Sequence, residues 1–338
     1  PWRSTMGYDR SMRAMVLERL GEPLKLIERP TPEPRPGEVR LKIAACGVCR
    51  TDLHLIDGEL KDFTVPIIPG HEIVGVIEAA GPGVEAARIG ERAGVGWLGH
   101  TCGVCEFCAS GRENLCIAPL FTGATRDGGY ASHVLAEAAY VYSLGEVAQN
   151  DACAAPLLCA GLIGWRALSF TGEARRIGVY GFGAAGHIIT QAAIAEGREI
   201  FAFVRPGDEA GAAFARSLGA AWAGGSDAAP PEPLDAAIIF APVGALVPAA
   251  LGAVKKGASV VLGGISMSDI PAFPYEILWG ERRLVSVANL TRADARSFLE
   301  GPAASVRTRV ATYPLEAANE ALGDLRAGRF EGAAVLIP

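Results

Sequence analysis

Residues 176–197 read RIGVYGFGAAGHIITQAAIAEG, and this stretch decides the fold. RIGVYGF is a short apolar run of the kind that forms a buried parallel strand. Gly181, Gly183 and Gly186 then spell G-x-G-x-x-G, and HIITQAAIAEG continues as an Ala-rich helix. In such a turn the first Gly permits the bend and the second lets the backbone approach a pyrophosphate. The third lets the helix pack closely on the strand, with phosphate at the helix N-terminus. Taken alone, the motif is equally a small-residue turn of an α/β protein. Its place at the opening of a βαβ unit of about 30 residues favours a dinucleotide. The next strand, EIFAFV, ends at Arg205, about where NAD-binding chains carry an acid for the ribose 2′-hydroxyl. An Arg there can pair with a 2′-phosphate, which favours NADP(H) over NAD(H). The competing reading leaves Arg205 in solvent and gives the acidic role to Asp208.

Working outward, LDAAIIFA, GASVVLGGI and RLVSVAN extend the strand series, and AGAAFARSLGA reads as another helix. Alternation of continuous apolar strands with helices implies α/β architecture with a doubly wound parallel sheet of Rossmann type. Residues 236–254 carry no charge over 19 positions, the length of a membrane span. Pro242, Gly244, Pro248 and Gly252 interrupt the run, so a buried strand, a turn and a short helix explain it better. Upstream, the first ~155 residues are strand- and turn-rich (KIAAC, IVGVIEAAG, ASHVLA), as expected of a compact, mostly β domain. After about Thr291 come a helix, a strand (VRTRVATYP), a helix and a last strand (GAAVLIP). That tail either extends the parallel sheet or returns to the first domain.

The 338 residues allow two domains, and half of them are hydrophobic, enough for a sizeable core. The formal net charge of −6, with no basic block, excludes nucleic acid as an expected partner. PWRSTMGYDR at the start has no apolar stretch typical of a secretory signal and reads as a processed or added arm. A cytoplasmic location follows as the expectation, with thiols reduced and a cysteine cluster favouring metal over disulfides.

Cys102, Cys105, Cys108 and Cys116 lie at spacings x2, x2 and x7 in CGVCEFCASGRENLC. Four thiolates from one loop can close a tetrahedral structural zinc site. An iron–sulfur cluster also uses close cysteines, but the x7 gap and the missing Pro depart from the bacterial ferredoxin run. Cys49 (CGVCRTDLH), His71 (PGHE) and Cys159 (LLCAG) form a looser trio, without an evident fourth protein ligand. That pattern suits a catalytic zinc with one position open to substrate. Cys46 and Cys153 are left over as ordinary small buried residues.

CRTDLH, PGHE, the four-cysteine lobe, LLCAG and the nucleotide loop, in this order, resemble the zinc-dependent alcohol dehydrogenases of the medium-chain dehydrogenase/reductase superfamily. The likeness covers nearly the whole chain from about Met12. Arg205, GGISMSDIP and SVANLTRAD look closer to the bacterial branch related to cinnamyl alcohol dehydrogenases. The resemblance implies a GroES-like catalytic domain from residues 1–157 and 293–338, with a zinc lobe at about 97–118, and a Rossmann domain over 158–292. It implies Cys49, His71 and Cys159 as catalytic zinc ligands, two zinc ions per chain, and an assembly as homodimer or homotetramer. Glu72 looks like the carboxylate that can approach the metal, and Asp52 like the acid that orients the imidazole ligand. Thr51 would take the alcohol proton and pass it through the cofactor ribose to His54. Arg50 looks like the residue gripping the pyrophosphate, and Leu60 and Trp97 like apolar walls for a small alcohol or aldehyde.

Two departures qualify this. Where the family often has a basic residue after Gly near the C-terminus, Gly332 precedes Ala333, so Arg50, Arg205 or Arg329 would carry more of the cofactor. Polyol dehydrogenases usually have Glu at the place of Cys159, which disfavours a polyol. The implied activity is reversible hydride transfer between a primary alcohol or aldehyde and NAD(P). The alternatives are a cinnamyl-type aldehyde reductase, a zinc-free quinone or enoyl reductase, and a catalytically silent binding protein of the same fold.

Overall fold

Six parallel strands form one sheet, in the spatial order Trp222–Gly225, Glu199–Val204, Arg176–Tyr180, Leu234–Ile239, Val254–Leu262 and Arg283–Ser286. In chain order this is 3-2-1-4-5-6, the doubly wound arrangement. The strands are apolar throughout because helices cover both faces. One face packs on Ala160–Ser169 and Ala184–Ala195, the other on Leu246–Ala253. Strand order reverses beside Arg176–Tyr180, which opens a crevice at the carboxyl ends of the strands. The loops there are laced together by backbone bonds, Gly181 N–H to Phe203 O at 2.9 Å and Phe240 N–H to Tyr180 O at 2.8 Å. The structure, a computed structural model, describes residues 11–60, 63–148 and 150–338. The arm expected over residues 1–10 lies outside them.

The uncharged run 236–254 resolves into the end of a buried strand and the helix Leu246–Ala253, with Pro248 in its first turn. Among the described residues no single helix is long and apolar enough to cross a membrane. Asp151–Leu158 and Ala160–Ser169 reach that length only as a pair bent by 44°, and much of the pair is core.

A second, mainly antiparallel sheet of seven strands occupies the N-terminal half. Its order is Val310–Pro314, Ala333–Ile337, Glu38–Val48, Glu72–Ala80, Arg92–Val95 and Val141–Ser143, with His133–Glu137 also on Glu38–Val48. The tail therefore returns to the first domain instead of extending the parallel sheet. Ala333–Ile337 lies antiparallel against Glu38–Val48.

The helix that precedes the returning strands packs on the helices of the parallel sheet. Helix Arg292–Leu299 begins with a capping box, in which Thr291 and Asp294 satisfy each other's backbone N–H groups. It then docks on Ala160–Ser169. Arg166 Nη1 lies 2.7 Å from Asp294 Oδ2, and Trp165 Nε1 donates to Ser297 Oγ at 2.9 Å. Phe298 is fully buried against Gly161, where a Cβ would come within 2.7 Å of its ring. Packing is thus continuous across 292/293, and residues 292–306 stay with the helices of the parallel sheet. Removing the Phe298 ring (Phe298→Ala) should lower unfolding stability by about 3–5 kcal/mol. Urea unfolding followed by tryptophan fluorescence measures this, and an unchanged midpoint would mean the helix is not docked as described.

Candidate metal centres and active site

Three distant segments meet where the seven-stranded sheet faces the nucleotide sheet's helices. Cys49 follows Glu38–Val48 and precedes the helix Arg50–Ile56. His71 precedes Glu72–Ala80, and Cys159 lies between the turn Ala155–Leu158 and the helix Ala160–Ser169. Ligand atoms of Cys49, His71, Glu72 and Cys159 all lie within 4.8 Å of one another. Cys49 Sγ and Cys159 Sγ are 3.8 Å apart. Two sulfurs bound tetrahedrally to one zinc at ~2.3 Å stand about 3.8 Å apart, whereas a disulfide needs about 2.05 Å. His71 is fully buried and its Nε2 has no hydrogen-bond partner, which a metal would supply. These residues fit zinc.

The ligands are held by one carboxylate. Asp52 Oδ2 accepts from Cys49 N–H at 2.8 Å and from the Tyr130 hydroxyl at 3.1 Å. Its Oδ1 accepts from Gly70 N–H at 3.3 Å and stands 3.3 Å from His71 Nδ1. The last separation is an ion-pair distance without good hydrogen-bond alignment, since Nδ1 also lacks a partner by hydrogen-bond geometry. Burial disfavours a charged His71, yet the neighbouring Asp52 outweighs it and raises the imidazole well above its usual range. A hydrogen bond from Cys159 pushes Cys49 well below the ordinary thiol range and Cys159 correspondingly up. Burial, then the Cys49 thiolate, raise Glu72.

Glu72 reaches the cluster because residue 47 is Gly. A Cβ at Gly47 would fall 1.8 Å from Glu72 Oε2. Sequence reading passed over Gly47, whose only signal was its place in AACGVC. Thr51 Oγ1 lies 3.6 Å from Cys49 Sγ, so the hydroxyl is at the cluster. His54 follows one helical turn later, on the same face. Its Nδ1 is 2.5 Å from Glu59 Oε2, a partner that sequence spacing did not suggest because Glu59 lies beyond the helix end. Trp97 stands edge-on to His71 at 4.9 Å between ring centroids and stacks on Phe121 at 5.1 Å. Trp97 thus lies against a ligand, and Leu60 packs half-buried on the same core. Cys46 and Cys153 are buried.

The sulfurs of Cys102, Cys105, Cys108 and Cys116 also lie within 4.8 Å of one another, with Cys102 and Cys108 4.0 Å apart. Backbone N–H groups of Val104 and Cys105 aim at Cys102 and lower it, and those near Cys108 and Ile117 bring Cys105 down to about 6. Burial pushes Cys108 the other way, up to about 11, so the thiolate a metal needs is favoured at Cys102 and Cys105 but not at Cys108.

Each glycine of the nucleotide loop has a distinct environment. Gly181 has φ +92°, and a Cβ there would meet Ala241 N at 2.6 Å. Gly183, the N-cap of Ala184–Ala195, faces open space, as a backbone approached by phosphate must. At Gly186 a Cβ would lie 2.8 Å from Gly181 O, which is the close helix–strand packing. Arg205 is exposed directly after Glu199–Val204, while Asp208 caps the next helix through Gly211 N–H at 2.8 Å. Asp208 is therefore engaged elsewhere, against the competing reading of this loop. Arg50 is exposed at the first position of its helix. Arg329 is exposed and pairs with Asp324.

Residues 35–146 match the family model of the alcohol dehydrogenase GroES-like domain. The chain is 46% identical over 324 residues to a probable alcohol dehydrogenase AdhA of Mycobacterium tuberculosis (strain CDC 1551 / Oshkosh), covering 93% of each. Among solved structures, a thermostable alcohol dehydrogenase from Pyrobaculum aerophilum with cobalt and zinc bound superposes with TM-score 0.86 at 26% identity, over 97% of this chain and 100% of that one. Acetophenone reductase from Geotrichum candidum in complex with NAD gives TM-score 0.86 at 27% identity over 98% of both. Cinnamyl alcohol dehydrogenases occur in both comparisons. The α/β fold is thus shared with oxidoreductases, one solved in complex with NAD and another with cobalt and zinc bound. The chain belongs to the zinc-type alcohol dehydrogenases of the medium-chain dehydrogenase/reductase superfamily, which act on CH–OH groups.

Asp52→Asn keeps the shape but removes the charge behind His71. It should weaken zinc retention at the Cys49–His71–Cys159 site by about 10–100-fold, measured by competition with a chromophoric chelator. Retention equal to the parent would remove Asp52 from this role.

Proposed function

We propose that this chain oxidises primary alcohols and reduces aldehydes reversibly, with NADP(H) preferred over NAD(H) and two zinc ions per chain. The observation that carries the reading is the trio Cys49, His71 and Cys159, closed to tetrahedral spacing with an unpartnered Nε2 and a Thr hydroxyl beside it. When bound, zinc would supply Lewis acidity to the substrate oxygen and the cofactor would take the hydride. Cys49, His71 and Cys159 hold the catalytic metal, while Cys102, Cys105, Cys108 and Cys116 hold the structural one. Thr51 Oγ1 would accept the alcohol proton as its own hydroxyl proton passes on by way of the bound cofactor's ribose, and His54, one turn along with Glu59 fixing its ring, would carry it toward solvent. Glu72 stands in reserve as a carboxylate at the metal, and Asp52 orients His71. Trp97 and Leu60 wall the substrate space with apolar surface, which suits an uncharged alcohol or aldehyde.

Gly181, Gly183 and Gly186 cradle the pyrophosphate with Arg50, and Arg205 receives the 2′-phosphate. We assign residues 1–157 and the tail to the GroES-like domain, with the lobe at about 97–118, and the central part to the Rossmann domain. The helix Arg292–Leu299 supports moving the return crossing from 292/293 to about 307. The protein is proposed to act in the cytoplasm as a homodimer or homotetramer. A silent binding protein of this fold has no reason to retain the open trio, and metal analysis finding one zinc per chain would favour it.

His71→Ala should lower turnover of benzyl alcohol by about a thousandfold or more, and unchanged turnover in a steady-state assay would sink the zinc role. Arg205→Asp should shift the ratio of kcat/KM for NADPH over NADH by at least about tenfold toward NADH. A parent enzyme that uses NADH as well as NADPH would overturn the cofactor preference.

A further inference from the structure

A seam joins the four-cysteine lobe to the end of the parallel sheet. The turn Glu113–Leu115 lies in the lobe between Cys108 and Cys116. The Glu113 carboxylate accepts from Arg292 backbone N–H at 2.8 Å, from its Nε at 3.0 Å on each oxygen, and from Nη2 at 2.5 Å. Asn114, which is buried, donates from Nδ2 to Ala288 O at 2.8 Å. The Arg292 guanidinium lies over the Tyr140 ring at 4.8 Å, and the Tyr140 hydroxyl pairs with Thr101 of the lobe at 2.6 Å. Both ends of the loop 288–291 are thus gripped from the lobe.

That loop leaves the carboxyl end of Arg283–Ser286, on the same sheet edge as Gly181, and Val287 N–H bonds to Leu262 O at 3.0 Å. Ligands of such sheets bind along this edge. Inside the loop Asn289 has φ +58°, and both polar atoms of its amide are buried without partners. Such a loop is held in place by its surroundings, and its amide offers an unmatched donor and acceptor.

We propose that Glu113 and Asn114 are positioning residues for the nicotinamide cofactor: the metal-closed lobe clasps the loop 288–291 and holds it in the shape that receives the cofactor. The proposal rests on the cofactor reading above. Glu113 touches neither the reacting atoms nor the other metal centre's ligands, and it acts through Arg292.

The test is a fluorescence titration of the zinc-loaded full chain with NADPH. Glu113→Gln should raise Kd about tenfold, the scale of one charge-assisted hydrogen bond, and Asn114→Ala should raise it severalfold, with both zinc ions retained by metal analysis. In steady state, KM for the cofactor should rise more than kcat falls, a split that general loss of stability does not produce. Arg292→Lys added to Glu113→Gln should change Kd less than twofold further, because the two share one contact. Parent-like Kd in both Glu113→Gln and Asn114→Ala, or a double variant showing the full product of the single effects, overturns the clasp. If Glu113→Gln does not fold, Asn114→Ala and Arg292→Lys singly carry the same expectation. A parent protein that binds neither NADPH nor NADH overturns the cofactor reading instead.

Discussion

One buried carboxylate organises the reacting half of this protein. Asp52 is almost completely buried, and its two oxygens are shared among the Cys49 backbone, the Gly70 backbone, the Tyr130 hydroxyl and the neighbourhood of His71. A buried charge is tolerated only where several dipoles converge on it, so the three segments that supply those dipoles must stay together. Two of them carry the ligands Cys49 and His71, and the third, around Tyr130, closes the core beneath. Gly70 and Gly129 leave no room for a Cβ beside Cys46 and Tyr130 or Ile73, so this packing is as tight as the electrostatics are specific. Satisfying Asp52 thus brings Cys49 and His71 together, and Cys159 is supplied from the other side by the start of helix Ala160–Ser169.

Much of this was legible in the sequence because metal ligation and phosphate binding demand rare residues at fixed spacings. Four Cys within 15 residues, and Gly181, Gly183 and Gly186 after an apolar strand, left few other physical explanations. Thr51, His54 and Asp52 were readable through the helix that follows Cys49. What stayed hidden depends on contacts between distant segments. Gly47 matters only because Glu72 lies across the sheet from it, paired in register through Gly47↔Glu72. Glu59 bears on His54 only after the helix ends and the chain turns. Glu113 reaches Arg292 over 179 positions, and no local pattern encodes that. The place where the chain crosses back is likewise not encoded locally: Arg292–Leu299 opens with a clear cap, and only Phe298 against Gly161 ties it to what came before.

The two candidate metal clusters are assembled by the fold in different ways. The trio draws one ligand from each of three separated segments, so its assembly reports correct tertiary structure. The lobe draws all four cysteines from one loop, Cys102 to Cys116, so they are brought together by local chain geometry. Through Glu113 and Asn114 that loop also grips the chain leaving the parallel sheet.

The register of the final strand has a consequence for synthesis on the ribosome. Ala333–Ile337 fills the place between Glu38–Val48 and Val310–Pro314, with Val335 opposite Gly47 and Leu336 opposite Cys46. The segment that backs Cys49 and Glu72 thus precedes its neighbour by some 290 positions. Through most of translation that strand edge is unpaired, while the parallel sheet can already be complete. Until Ala333–Ile337 is made, all six strands of the nucleotide sheet are present while Cys46 and Gly47 still lack the strand they pair with.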